Sequence, residues 1–182
     1  MAGVNMIFKA SPGLRRVLTP ALLAAIVSGI PLAAHAEAQR AALFPFELYD
    51  TSLSGDRGGS RGRLALLDRE LRDLLAKSGR YEPIPLGAAQ EKAAEGQDLR
   101  TCDGCDVPLA RELGADVSVV GWVQKVSELI LNVNLVMRDV TTGAVVEAGS
   151  VDIRGDTDES WSRGLAYLLR DRLKIGTPGG TP

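Results

Sequence analysis

The sequence predicts an α/β (α+β) fold in which a mixed sheet ends in a C-terminal three-stranded antiparallel meander and helices pack on it. Three observations carry that expectation. Apolar residues alternate from Val117 to Val123 and again from Leu129 to Met137, the period of half-buried strands. Leu64, Leu67, Leu71, Leu74 and Leu75 recur at helical spacing, and so do Trp161, Leu165, Leu168 and Leu169 near the other end. Both leucine series place their apolar side chains along one face of a helix.

The first 36 residues stand apart from this pattern. Lys9, Arg15 and Arg16 precede an apolar stretch from Val17 to Leu32, which runs into Ala34-His35-Ala36, and no acidic residue occurs before Glu37. A positive start, an apolar middle and small residues flanking one variable position are the parts of a secretory signal, so cleavage is expected after Ala36 and the destination is the periplasm. Pro20, Gly29 and Pro31 weaken the alternative of an uncleaved anchor, and no membrane span is expected after cleavage. No cysteine lies near the cleavage position, which argues against lipid attachment. Only the arginine pair matches a twin-arginine signal, so general export is favoured. Cleavage leaves 146 of the 182 residues, the size of one domain, expected over 37–175, with a disordered tail at 176–182. It also leaves 18 basic against 23 acidic residues, a net charge of −5. That balance argues against nucleic acid or an anionic membrane as partner.

Ala41 to Leu48 reads as a first strand in which Pro45 limits ladder bonding. A loop from Tyr49 to Gly62 leads to the leucine helix, which Gly79 terminates. Tyr81 to Leu86 reads as a short strand that Pro83 and Pro85 leave at an edge or outside the sheet, and Ala88 to Ala94 as a helical turn or two. Asp106-Val107-Pro108 marks a helix start with Asp106 as its cap, and Gly114 its end. In the meander Val117, Val119, Gly121, Val123 and Lys125 share one face, and Ser118, Val120, Trp122 and Gln124 the other. Asp139 to Gly143 has turn chemistry, Ala144 to Ile153 is the third strand, and Asp156 or Thr157 caps the closing helix.

Few residues invite chemistry. The single histidine, His35, leaves with the signal. The rest therefore has no Ser-His or Cys-His pair and no imidazole ligand, and neither enzyme activity, metal nor cofactor is expected. Cys102-Asp103-Gly104-Cys105 is read foremost as a structural disulfide, since an exported chain meets oxidising surroundings. A redox-active pair is the rival, making the chain a thiol-disulfide oxidoreductase, but Asp103 and Asp106 disfavour the thiolate it needs. A metal site would require a second cysteine pair. Arg57, Arg61 and Arg63 stand in a glycine-rich segment before the first helix, a place where anions bind, although the spacing matches no phosphate loop. They define a candidate anion-binding loop, and a plain surface loop is the alternative. Asp152, Asp156, Asp158 and Glu159 cluster at the last helix start, where capping and the helix dipole account for them. Trp122, Ile130 and Val136, with Val120, are expected on one outward face of the meander, apolar enough to need covering by a helix or a partner.

The runs Leu113-Gly114-Ala115-Asp116, Gly121-Trp122-Val123-Gln124-Lys125-Val126 and Ser150 to Trp161, together with Phe44-Pro45-Phe46-Glu47-Leu48 and the cysteine pair, resemble a family of exported proteobacterial proteins of unknown function. Its members are often encoded near quinoprotein (PQQ-dependent) methanol and alcohol dehydrogenases. More distantly, the Gly-Ala-Asp, strand, turn, strand pattern is similar to the amino-terminal domain of the Tol translocation protein and to the curli-secretion lipoprotein. These resemblances imply a non-enzymatic envelope accessory protein acting through protein contacts, with a PQQ-dependent dehydrogenase or its cytochrome as partner. They supply no catalytic residues.

Overall fold

The computed structural model describes residues 37–52 and 58–176. Residues 1–36, on which the expected signal falls, Arg57, and residues 177–182 of the expected tail lie outside the described residues. Six strands form one mixed sheet: β1 (Gln39–Leu43), β2 (Glu47–Asp50), β3 (Tyr81–Ile84), β4 (Val117–Lys125), β5 (Leu131–Asp139) and β6 (Val145–Ile153). The helices are α1 (Gly58–Lys77), α2 (Ala88–Glu95), α3 (Asp106–Glu112) and α4 (Asp158–Tyr167), the last continuing into a π-helical turn at Leu168–Arg172. No helix among the described residues is long and apolar enough to cross a membrane.

The strand order is β3-β1-β4-β5-β6, with β2 also on β4. Pairings of β4 with β1 and β2, and of β1 with β3, are parallel, whereas β4-β5-β6 is the expected antiparallel meander. The first strand differs from its prediction. It splits at Phe44-Pro45-Phe46 into two pieces that pair with successive stretches of β4, Leu43 opposite Val119 and Glu47 opposite Trp122. Proline has no N–H to give the ladder, so the chain steps out and back there. The Phe46 N–H is caught by Asp68 Oδ1 of α1 at 2.8 Å. The Phe46 ring then occupies the space above Gly121, where any Cβ would stand 2.5 Å from it. Only glycine at 121 accommodates the step.

Odd-numbered residues of β4 and β5 face α1 and α4. Leu67, Leu71 and Leu75 from α1 and Trp161, Leu165 and Leu168 from the last helix close on Val119, Val123, Val133 and Leu135. Each fully buried leucine contributes about 1.5–3 kcal/mol of transfer free energy. The π-helical turn keeps this packing going past Tyr167: the Leu173 N–H donates to the Leu168 carbonyl at 3.0 Å, which returns Leu173 to the core. Helix α1 begins at Gly58, five residues earlier than the predicted loop, which runs to Gly62, allows. A smaller core on the other face joins Phe44, Ile84, Leu99, Val107, Ala110 and Val120.

Alternation carries Lys125 onto the covered face, where its side chain is 0% exposed. Its ammonium meets Asp156 Oδ2 at 2.6 Å and Glu128 Oε1 at 2.7 Å. Burial pulls its pKa down, but the hydrogen bonds and charges of Asp156 and Glu128 outweigh that and leave it above the ordinary 10.5. Asp156 is not the helix cap. That role falls to Thr157, whose Oγ1 accepts from the Ser160 N–H at 3.2 Å. Asp156 Oδ1 instead accepts from Arg63 Nη1 at 3.0 Å and Trp161 Nε1 at 2.9 Å.

Replacing Asp156 by alanine removes the buried partner of Lys125, leaves it only the more exposed Glu128, and frees the Arg63 and Trp161 donors. We expect a loss of about 3–5 kcal/mol, read as a lower urea midpoint at unchanged slope. A loss below about 1 kcal/mol would mean that the pair behaves as a solvated one. Because the Lys125 pKa is raised, its contribution is complete below 10.5 and disappears as pH climbs through the folded-state value.

Candidate interaction surface

The opposite face of the meander is only partly covered. Helix α3 lies across one end of it, held by Asp106, which is 1% exposed. Ser118 Oγ of β4 donates to Asp106 Oδ2, and Arg138 of β5 donates to Asp106 Oδ1 and Asp103 Oδ1, each at 3.4 Å. Asp106 was expected to cap this helix. Instead Cys105 occupies the cap position and makes no side-chain cap bond, because the Asp106 carboxylate is turned onto the sheet.

The cysteines form a disulfide, Cys102 to Cys105, with Cα atoms 5.7 Å apart. Asp103 and Gly104 between them both take positive φ, 46° and 104°. The ring sets the entry into α3 and packs against the smaller core. Arg100, the nearest cation in sequence, reaches Asp98 at 2.6 Å and stacks over the Tyr49 ring at 4.2 Å. Among the described residues no group of three or more His, Cys, Asp or Glu side chains gathers as a metal site.

Beyond α3 the register lays out the face in rows. Val120 of β4, Val136 and Ala148 form the first, and α3 covers Val120, which is 1% exposed. Glu47, Trp122, Asn134 and Ser150 form the second, and Tyr49, Gln124, Asn132 and Asp152 the third. At the hairpin tip the Val126 N–H donates to the Ile130 carbonyl at 3.0 Å, so these two residues close the series. Trp122 and Val136 are half-buried, and Ile130 is exposed. Trp122, Ile130 and Val136 thus share a face, with Val136 diagonal to Trp122 and Ile130 set apart from both at the hairpin tip. Between them Asn132 Nδ2 donates to Asp152 Oδ1 at 2.8 Å and Ser150 Oγ donates to Asn132 Oδ1 at 2.9 Å. Sequence reading missed this ladder, although the alternation of Asn132, Asn134, Ser150 and Asp152 with apolar residues was its signal.

Glu47 borders Trp122 from β2. Burial raises its carboxyl pKa, against the Leu99 N–H that donates to Oε1 at 2.9 Å. Of the candidate anion-binding arginines, Arg61 is exposed on α1. Arg63 also lies on α1, where Asp156 and Asp158, each at 3.0 Å, engage its guanidinium.

Serine at both Cys102 and Cys105 should cost about 2 kcal/mol, the loop-entropy value for so short a ring, seen as a lower denaturation midpoint. For Glu47→Gln we expect a gain in stability at neutral pH. The variant keeps an acceptor for Leu99 and avoids burying a charge. The gain should shrink as pH falls through the raised Glu47 pKa, since the parent is then protonated too. A gain that grows toward low pH would contradict the assignment.

No curated protein matches the chain in sequence. Solved structures of similar fold include the LpoB C-terminal domain from Salmonella enterica, at 13% identity and a TM-score of 0.47 over 67% of this chain and 87% of that one. Lipoprotein GNA1162 from Neisseria meningitidis gives 19% and 0.49 over 79% and 99%. TolB from Acinetobacter baumannii gives 14% and 0.45 over 79% and 30%. A family described as protein of unknown function (DUF2380) matches residues 39–173, and the chain belongs to it.

Proposed function

We propose that the chain is exported, that cleavage after Ala36 releases one domain over 37–175, and that this domain acts in the periplasm as a non-enzymatic accessory protein through protein contacts. The observation that carries the reading is the open half of the meander face. A half-buried tryptophan stands there in a row with Glu47, Asn134 and Ser150, beside the polar row of Gln124, Asn132 and Asp152. An aromatic anchor with a polar surround is the composition of a reversible protein interface. The finer clause, that the partner is a PQQ-dependent dehydrogenase or its cytochrome, draws its support from the sequence resemblance.

The chain has two tryptophans, and Trp161 is fully buried. Labelled with fluorotryptophan, it should give two fluorine resonances, and adding the purified dehydrogenase or cytochrome of the same host should move that of Trp122 alone. Trp122→Glu should weaken the complex at least about tenfold. No movement with either protein removes the quinoprotein clause. A complex indifferent to Trp122→Glu removes this face as its interface.

A further inference from the structure

Strand β6 is an edge of the sheet, and no described strand pairs with its outer side. The backbone directions follow from the two hairpins. Ile130 offers its carbonyl to β4, and the Asp139 N–H donates to the Ala144 carbonyl at 2.9 Å. Even-numbered residues of β5 therefore turn their backbone groups to β4, and odd-numbered ones to β6. Through the pairs Met137 with Glu147, Leu135 with Gly149 and Val133 with Val151, the peptide groups of Ala148, Ser150 and Asp152 point away from the sheet. Edges are ordinarily guarded by proline, lysine or a bulge. Here the bulge falls at Val146, which the register skips, and Glu147 to Ile153 contains neither proline nor lysine.

A groove of about 370 Å³ runs beside this edge, between β6 and α4. Val151 and Ile153 line it from the strand and Gly164 and Tyr167 from the helix, with Arg154 and Arg163 at the rim. Tyr167 is exposed, and Arg163 pairs with Glu159 in an exposed ion pair at 3.3 Å. The one acidic lining residue, Asp152, directs its carboxylate to Asn132 on the opposite face. The groove is therefore apolar along its floor and cationic at its rim.

We propose that the β6 edge and this groove receive an extended segment of another protein as a seventh strand. Main-chain bonds to Ala148, Ser150 and Asp152 would hold it, as in strand-addition complexes. One of its apolar side chains would sit beside Ile153, which fills the space over Gly164, and against Tyr167, and an acidic side chain would meet Arg154 and Arg163. The proposal stands on the edge and the groove, and does not depend on the Trp122 face.

The test is selection of a displayed library of random peptides about twelve residues long against the full chain, followed by amide exchange with the enriched peptide. Enriched sequences should alternate apolar and polar residues and carry Asp or Glu near one end. On binding, exchange at Ala148, Ser150 and Asp152 should slow at least about tenfold. Tyr167→Ala, Arg163→Glu and Ser150→Pro should each weaken binding at least about tenfold, proline being tolerated where the N–H faces outward. Trp122→Ala should leave it unchanged. The proposal is overturned if no peptide is enriched, or if affinity ignores Tyr167→Ala and Arg163→Glu. It also fails if those amides are already protected in the dilute chain, which means that the chain covers its own edge. Protection that rises with protein concentration would likewise overturn it, by showing that a second copy is the occupant.

Discussion

A lysine in a strand of valines imposes the central constraint of this fold. Alternation along β4 leaves Lys125 no choice of face, and that face is the one the helices cover. A buried ammonium without a counter-charge costs several kcal/mol, so a carboxylate must be delivered to it. Asp156 does so from the turn between β6 and α4. The same carboxylate holds Arg63 of α1 and the indole of Trp161. One contact thus ties together the far end of β4, the start of α1 and the start of α4. The leucine stripes of both helices are apolar along their length and tolerate sliding, whereas a charge pair does not. Here burial supplies the stability and the ion pair the position.

With both longer helices committed to that side, the other side of the sheet must make do with α2 and α3. Helix α3 has seven residues, about 10 Å at the helical rise, whereas β4 and β5 have nine residues each, about 30 Å. It reaches only as far as Val120 and Val136. Anchoring so short a helix takes more than its few apolar contacts, and the Asp106 bonds and the Cys102–Cys105 ring supply the rest. The disulfide works on position as much as on stability: it holds the turn from which Asp106 enters the sheet.

Much of this was legible in the sequence. Strand alternation in the meander and the helical spacing of leucines each have one dominant period, and both gave elements within a few residues of their observed ends. Pro83 and Pro85 left Tyr81 to Leu86 an edge position or none, and β3 takes the edge, because a missing N–H has few other homes. What escaped were the polar appointments. Asp106 and Asp156 stand at helix starts, and local chemistry makes them caps. Their partners lie distant in sequence, so nothing near either residue announces Arg138 or Lys125. The division of the first strand around Pro45 was half visible: proline signalled the interruption, but the resumption along the same neighbour depends on Asp68 and Gly121. The Trp122 face was legible as a shared parity. Its coverage by α3 and the Asn132 ladder are properties of packing.

That ladder breaks up the apolar side chains on the less covered face of the meander. Trp122, Val136, Val126 and Ile130 share one face and, if contiguous, would form a strip of the kind that drives association. Asn132, Asn134, Ser150 and Asp152 run through its middle and satisfy much of one another's hydrogen bonding. The apolar side chains are left as two small groups, Trp122 with Val136 and Val126 with Ile130, on either side of the ladder. A partner that does bind must match the amides and the carboxylate as well as cover the indole. Polar groups left unpaired at an interface cost about 1–3 kcal/mol each, so a mismatched partner is penalised at every step of the ladder. On the proposed reading, the face would discriminate among partners more than bind any of them tightly.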